Sequence, residues 1–169
     1  MTSSVPPGRG AIYVASASFT RPSDTTQYAV ADLVANSTTA GSVVPLSMVV
    51  ASAAGAGVKI CRARLLKSAT SITSASFRVH LYRDSPTCAN GDNAAWSTTV
   101  SGYLGYIDLT MAQTFSDDAQ GRGVPSIGDA IRCMPVTGSR TIYALLEARA
   151  TYTPASAEEF TLYLECEAD

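Results

Sequence analysis

The chain has 169 residues, of which 46% are hydrophobic and 15% are charged, and its formal net charge is −2. This length suits one domain with its own core, and the hydrophobic fraction argues against a disordered chain. The small net charge gives no electrostatic reason to expect a nucleic-acid-binding protein, which normally has a basic stripe.

Charge is distributed unevenly along the chain. Residues 1–83 contain eight Lys or Arg and two acidic residues, whereas residues 84–169 contain four Arg and twelve acidic residues. The two halves therefore attract each other, either within the fold or between subunits. We expect ordinary pairing inside the fold and keep an interface role as the alternative.

The first ten residues, MTSSVPPGRG, include two prolines and two glycines and lack the apolar run of a secretory leader. We predict an extended N-terminal arm over residues 1–17, which becomes ordered when a partner binds it. No window of the sequence approaches the roughly eighteen apolar residues of a membrane span, so we expect no membrane partner.

The segment SFTRPSDTTQYAVADLVANST, residues 18–38, leads into the first apolar stretch. Asp24 to Gln27 fits a capping box, which favours a tight turn or a single helical turn at residues 24–28. Val30 and Val34 are poor helix formers, so we expect an extended segment through residues 32–34. The segment is interpreted as the entrance to a sheet.

From about residue 57 onward, apolar residues alternate with polar ones, which is typical of half-buried strands. The runs are SFRVHLYRD (76–84), GYIDLTMA (105–112), RTIYALLEARATYT (140–153) and EEFTLYLECEA (158–168), with less regular GVKICRARLLKS (57–68) and AIRCMPV (130–136). In the run 57–68, Cys61, Ala63 and Leu65 are expected on one face.

Turn-rich loops separate these runs at residues 85–96, 116–129 and 137–140. Gly91, Gly121 and Gly123 are expected to supply the positive φ angles of tight turns. Because no long amphipathic helix is found, the sequence predicts an all-β fold. We expect an antiparallel β-sandwich or jelly roll of about 7–8 strands, forming a single domain over residues 18–169.

Candidate catalytic groups are few. His80 is the single histidine and lies in a predicted strand, where we expect it to face solvent or an interface. The adjacent acids Asp117-Asp118 and Glu158-Glu159 point to opposite sides of a strand, so we interpret them as solvated charges. We therefore predict that the chain is not an enzyme and has no catalytic residues.

Metal and cofactor sites are not predicted either. The cysteines have no metal-binding spacing, and we expect four free thiols, with a Cys61–Cys166 bridge as the alternative; they are Cys61, Cys88, Cys133 and Cys166. The oxygen-rich positions Asp84, Asn90, Asp92 and Asn93 lack the spacing of a calcium motif.

Aromatic residues offer one further possibility. Trp96, Tyr103 and Tyr106 lie near predicted loop ends, where they could form a platform for a glycan. We favour a structural role for Trp96 at one end of the core and keep the glycan platform as the alternative.

The run Phe19-Thr-Arg-Pro-x-Asp-Thr-Thr-x-Tyr28, followed by Asp32-x-Val34-Ala-Asn-Ser-Thr38, resembles a segment near the N-terminus of small virion structural proteins of tailed bacteriophages. The resemblance covers about 21 of 169 residues and departs from the pattern at Ala31, where a glycine is expected before the aspartate. It implies a β-sandwich located on the capsid or near the tail, and it brings no catalytic residue.

The leading hypothesis is therefore a capsid decoration or cement protein, made in the host cytoplasm and located on the virion surface. Its partners would be the major capsid protein and copies of itself, with a trimer as one form suited to icosahedral shells. The candidate docking residues are Pro6, Pro7, Arg9, Phe19, Arg21 and Asp24. The alternative hypothesis is a carbohydrate- or host-receptor-binding module of a head fibre or tail component.

Overall fold

The computed structural model describes residues 10–126 and 130–169, and in these ranges the chain forms ten strands and no helix. The strands are β1 (Ile12–Thr20), β2 (Leu33–Val34), β3 (Leu46–Val49), β4 (Val58–Lys67), β5 (Ser76–Tyr82), β6 (Tyr103–Thr114), β7 (Ala119–Gly123), β8 (Ile131–Cys133), β9 (Thr141–Ala148) and β10 (Glu159–Ala168). Accordingly, these ranges contain no helix that could cross a membrane.

All strands belong to one antiparallel sheet with the order β1-β10-β4-β7-β6-β5-β9-β2. In addition, β3 pairs with β9, and β8 pairs with β4. The sheet curls on itself until β3 lies beside β1. This architecture is consistent with a β-sandwich or jelly roll, so the predicted all-β class is confirmed.

The core forms where the predicted alternation places apolar side chains on the inner face. On β5, Phe77 and Val79 are at most 1% exposed, and the same face of β10 contributes Leu162 and Leu164. These residues belong to one large cluster inside the curled sheet. Fully burying one such side chain contributes about 1.5–3 kcal/mol, so this cluster is the main source of stability.

A second, smaller apolar cluster lies on the opposite face of β5 and β9. It contains Leu33, Ala35, Tyr82, Cys88 and Leu145. The segment around β2 and the loop after β5 therefore cover part of the outer face. As a result, the C-terminal half of β5 is buried on both faces.

The ordered sheet begins earlier than the predicted boundary at residue 18. β1 starts at Ile12 and pairs with β10 in a continuous register from Ile12 opposite Glu167 to Thr20 opposite Glu159. Residues 12–17 of the predicted arm are thus part of a strand. Pro6, Pro7 and Arg9 lie outside the described residues.

The segment 24–28 contains no helix and no turn closed by backbone hydrogen bonds. The Thr26 amide donates a hydrogen bond of 2.9 Å to Asp24 Oδ1, so the aspartate closes a local turn without starting a helix. The extended segment predicted at residues 32–34 is confirmed as β2, preceded by a bridge from Asp32 to Ala95.

Cys61 occupies a β-bulge, so its predicted place on the face of Ala63 and Leu65 is wrong. Glu165 pairs with Arg62 and Cys166 pairs with Ile60, which leaves Cys61 as the extra residue. The alternation of β4 therefore changes phase at this point, and Cys61 is only half-buried. All four cysteines are free, and the Cys61–Cys166 bridge is not formed.

The predicted role of the loop glycines is also wrong. Gly91, Gly121 and Gly123 do not have positive φ angles. Instead, a Cβ on Gly123 would overlap the Asp108 carbonyl oxygen, and one on Gly91 would overlap the Thr38 carbonyl. Glycine is needed at these positions because two backbone segments approach each other closely.

Candidate functional site

Bases from the first half of the chain pair with acids from the second half, as the charge asymmetry predicts. The pairs are Arg21–Asp92, Lys59–Glu167, Arg62–Glu165, Lys67–Glu158 and Arg78–Asp108. Two of them, Arg21–Asp92 and Lys67–Glu158, have fully buried side chains. Buried pairs of this kind are costly to break, because either partner alone would be an uncompensated charge.

The Arg21–Asp92 pair joins three segments of the chain. Arg21 Nη2 lies 3.0 Å from Asp92 Oδ2, and the Arg21 Nε group donates to the Tyr28 hydroxyl at 2.8 Å. Asp92 Oδ1 accepts from the Tyr28 hydroxyl and from the Ala35 amide, each at 2.7 Å. Burial raises the pKa of Asp92, although the Ala35 amide, Tyr28 and Arg21 all lower it. The loop containing Asp92 is therefore held against the segment that leads from β1 to β2.

This arrangement limits the candidate docking residues. Arg21 is buried, so it does not lie on a surface that a partner could contact directly. Phe19 is half-buried and stacks on Phe160 with 5.5 Å between ring centroids. Asp24 keeps 37% of its side chain exposed while pairing with Arg21 at 3.1 Å. Of these three residues, only Asp24 presents a substantial surface of its own.

The oxygen-rich loop does not converge on a cation. Asp92 faces inward to Arg21, and the Asn90 side chain donates to the Ala95 carbonyl. Among residues 10–126 and 130–169, no three His, Cys, Asp or Glu side chains are grouped to hold a metal ion.

Glu158 is buried, so its predicted role as a solvated charge is wrong. Lys67 Nζ lies 3.0 Å from Glu158 Oε1, and the Tyr152 hydroxyl donates to the same carboxylate at 2.6–2.7 Å. Lys67 also donates to the Ala69 carbonyl at 2.6 Å. The neighbouring acid Glu159 is exposed, as expected.

His80 lies at the centre of a polar cluster on the outer face of β5. It is only 8% exposed, so the prediction that it faces solvent is wrong. His80 Nε2 lies 2.7 Å from Glu147 Oε2 on β9, and Nδ1 lies 3.1 Å from the Tyr103 hydroxyl on β6. Burial lowers the pKa of His80, although the hydrogen bond to Glu147 raises it. A neutral ring that donates from Nε2 to Glu147 and accepts from Tyr103 satisfies all three groups.

The three aromatic residues of the predicted glycan platform come together around this histidine. Ring centroids lie 4.0 Å from His80 for Trp96, 5.8 Å for Tyr103 and 6.4 Å for Tyr106. Arg78 stacks over the Tyr106 ring at 3.7 Å. We call Trp96, Tyr103 and Tyr106 the aromatic band. A cavity of about 190 Å³ lies beside Trp96 and Tyr103, and one of about 340 Å³ lies beside Tyr103 and Tyr106.

The polar atoms of this cluster are hydrogen-bonded to one another. Burial raises the pKa of Tyr103 to about 12, so less of its hydroxyl is ionised at neutral pH than in an ordinary phenol. Both ring nitrogens of His80 already have partners within the chain. The sequence pointed to the aromatic band through its residue types, but it gave no sign that Glu147 would complete the cluster.

The described fold can be compared with known proteins. No protein-family model matches the sequence, and no curated protein matches it significantly. Among solved structures, the chain is similar to one from deformed wing virus carrying the GFP gene, with 13% identity and a TM-score of 0.28 over 68% of this chain and 54% of that chain. The alignment thus spans about half of the deformed wing virus chain.

Two further solved structures are similar at the same low level. A protein of unknown function from Shewanella oneidensis MR-1 is 9% identical, with a TM-score of 0.27 over 98% of this chain and 90% of that chain. A chain of the Triatoma virus empty capsid is 14% identical, with a TM-score of 0.25 over 94% of this chain and 71% of that chain. At these TM-scores, the likenesses assign neither a family nor a function.

Proposed function

We propose that this chain is a structural protein of a virion, and specifically a capsid decoration or cement subunit. In this role it binds the major capsid protein on the capsid surface, associates with copies of itself and stabilises the head shell. It works by adhesion and catalyses no reaction.

The observation that carries the proposal is that three buried basic side chains are each bound to an acidic side chain within the fold. Arg21 is bound to Asp92, Lys67 to Glu158 and His80 to Glu147, each at 2.7–3.0 Å inside the fold. The first two pairs fix loops onto the β-framework, and burial keeps all three basic groups from a substrate in solvent. A rigid framework that presents loops and strand edges is what a protein needs when it works by adhesion.

The resemblance to phage virion proteins supports the same role. Two residues of the shared segment, Arg21 and Tyr28, form the buried network with Asp92. A third, Asp32, accepts a hydrogen bond of 2.7 Å from the Ala29 amide through Oδ2. The resemblance therefore rests on residues that determine the fold of this segment. It also departs from the pattern at Ala31, whose φ of 70° explains why a glycine is expected there.

Co-sedimentation with purified phage capsids tests the proposal. We expect the chain to sediment with capsids, with different amounts on expanded and unexpanded shells, because expansion changes the surface that a decoration subunit recognises. Deleting residues 1–9 should weaken attachment while leaving a folded protein. Absence of binding to either shell would contradict the decoration role, and loss of folding on deletion would show that these residues belong to the core.

A second candidate function is recognition of a glycan or host receptor, as in a head fibre or tail component. The observation that favours it is the gathering of the aromatic band around His80, with two cavities beside it. Aromatic rings bind sugars through their faces, and neighbouring threonine hydroxyls could provide hydrogen bonds. The 190 Å³ cavity is lined in part by Thr98 and Thr99.

A glycan array separates the two functions. Binding that is lost in Trp96→Ala and kept in Phe115→Ala would support the glycan role, since Phe115 is an exposed aromatic residue outside the band. Sugar binding without any affinity for capsids would overturn the decoration proposal. Absence of sugar binding in the folded wild-type chain would remove this second candidate.

A further inference from the structure

Two arginines face each other across paired strands on the outer face of the sheet. Arg64 on β4 lies directly opposite Arg122 on β7 in the antiparallel register, and we call these two residues the arginine pair. Arg64 is half-buried and Arg122 is exposed. Like charges in directly opposite positions destabilise a sheet, because their Cβ atoms lie only about 4.5–5.5 Å apart. The fold thus keeps an electrostatically unfavourable contact at this position.

Each member of the arginine pair is held in place by a neutral group. The Arg64 guanidinium lies over the Tyr163 ring, 4.3 Å from its centroid. With its side-chain oxygen turned toward Arg122, Gln120 accepts hydrogen bonds from Arg122 Nε at 2.9 Å and from Nη2 at 3.1 Å. Neither contact cancels a positive charge. Within the described ranges, no ion pair joins either arginine to an acid.

The acids beside the arginine pair on this face are already neutralised by other arginines. One side-chain position along β4 and β10, Arg62 Nη2 lies 2.6–2.7 Å from both carboxylate oxygens of Glu165. Next to the pair on β6, Asp108 accepts from Arg78 at 2.6–2.8 Å. The residue directly opposite Arg122 on β6 is the uncharged Thr110. The arginine pair therefore contributes a local excess of positive charge.

Two acids without an ion pair in the described ranges, Asp118 and Glu159, lie toward one end of these strands. Asp118 is four residues from Arg122, and Glu159 is four residues from Tyr163, which lies opposite Arg64. At about 3.3 Å per residue, each acid lies about 13 Å along its strand from the arginine pair. Charges at that separation are largely screened at physiological ionic strength, so the two positive charges stay uncompensated.

The chemistry of the arginine pair suits a carboxylate. The planar donors of arginine match a carboxylate in a bidentate contact, and the same face contains two such contacts, Arg62–Glu165 and Arg78–Asp108. The carboxylates of those contacts would repel a doubly charged phosphate about twice as strongly as a singly charged carboxylate. The pair lies on an open sheet surface, which a partner protein can cover.

We propose that the arginine pair binds a carboxylate group on the surface of a partner protein. The carboxylate lies between the two guanidinium groups, where it removes the repulsion that the free chain retains. Exclusion of water by the surrounding contact strengthens this interaction. The inference rests on the proposed adhesive function, and it adds that the partner presents an acidic surface to this face of the sheet.

Titration of the purified wild-type chain with an acidic peptide tests the site without capsids. The probe is a peptide of alternating Glu and Gly, and the same peptide with Gln in place of Glu is the control. We expect the NMR signals of the Arg64 and Arg122 Nε–H groups to shift with the acidic peptide only, and to shift less as salt is raised from about 0.02 M to about 0.2 M. Absence of these shifts, or equal shifts at the exposed Arg83 and Arg132, would overturn the proposal.

Variants measure what the arginine pair contributes to partner binding. In capsid co-sedimentation, the double variant Arg64→Gln, Arg122→Gln should bind at least about tenfold more weakly than the wild type. The matched control is Arg83→Gln, Arg132→Gln, which removes two charges from exposed positions outside the pair and should bind within about twofold of the wild type. Replacing both members of the pair with lysine should restore part of the binding, because lysine keeps the charge without the planar donors. Circular dichroism checks that each variant is folded, and the peptide titration of the wild type decides if the glutamine variant is not.

The results separate this inference from the decoration role. If the wild type sediments with capsids and the folded glutamine double variant binds equally well, the inference is wrong and the decoration role stands. If the wild type binds no capsid, the decoration role is wrong, and the peptide titration alone decides the inference. A sulfated oligosaccharide that shifts the two arginine signals when the acidic peptide does not would assign the site to a glycan and overturn the proposal.

Discussion

Arg21 and Asp92 lie 3.0 Å apart, and neither side chain is exposed to solvent, although 71 positions separate them in the sequence. The contact fixes the polar segment after β1 against the loop after β5. It therefore positions the loop that contributes Trp96 to the aromatic band.

Replacing Asp92 with alanine should be strongly destabilising. The substitution leaves the buried Arg21 guanidinium with the partly exposed Asp24 as its remaining carboxylate partner, and the loss of a buried pair costs about 3–5 kcal/mol in comparable cases. Urea unfolding measures the loss. Asp84→Ala is the control, because the Arg83–Asp84 pair is about half exposed, and its removal should change stability by less than about 0.5 kcal/mol. Equal effects of the two variants would contradict a structural role for the buried pair.

Replacing Ala31 with glycine should stabilise the chain. Ala31 has a φ of 70°, a conformation that costs a residue with a Cβ about 1–2 kcal/mol and glycine much less. We expect a net gain of about 1 kcal/mol in thermal or urea unfolding after the larger entropy of glycine in the unfolded chain is included. Ala29→Gly, at a position without positive φ, should be neutral or destabilising. A loss in Ala31→Gly as large as that in Ala29→Gly would show that the backbone is unstrained.

Replacing Gly123 with alanine should destabilise the sheet by about 1–3 kcal/mol, because the new Cβ would overlap the Asp108 carbonyl oxygen on β6. Gly138→Ala is the comparison: its φ of 82° is unfavourable for alanine, but the space around it is open. Its cost should be about 1 kcal/mol or less. Comparing the free energies of unfolding of the two variants separates steric overlap from backbone strain. A smaller loss in Gly123→Ala than in Gly138→Ala would argue against close packing of β6 and β7.

Stability should fall as the pH is lowered through the ordinary pKa of histidine. Burial lowers the pKa of His80, so between its folded and unfolded pKa values the unfolded chain binds more protons. The contribution of His80 is therefore fully present above a pH of about 6.5 and is lost progressively below it. Glu147, Arg78 and Arg149 influence this titration.

The measurement is the free energy of unfolding at pH values of about 7.5 and 5.5, on either side of the ordinary pKa of histidine. The wild type should lose more stability over this interval than His80→Gln, which cannot titrate there. Parallel losses in both proteins would show that other groups cause the pH dependence.

The sequence pattern shared with virion proteins points to one unusual backbone position. A glycine was expected at position 31, and Ala31 adopts a positive φ. Glycine preference reflects a local backbone requirement, and for that reason a sequence pattern can carry it. The aromatic band is different: residue type alone predicts its members, and their approach to His80 depends on how β5, β6 and the intervening loop fold together.

By itself, the sequence determined the inner face of the sheet. Alternation along β5 and β10 placed Phe77 and Leu162 in the core, because successive side chains of a strand point to opposite faces whatever lies around them. Only the tertiary structure decided what covers the outer face. His80 and Glu147 are buried there by segments distant in sequence, and the bulge at Cys61 follows from pairing with β10. Periodicity reports which residues share a face, whereas the burial of polar groups depends on long-range partners that local pattern does not encode.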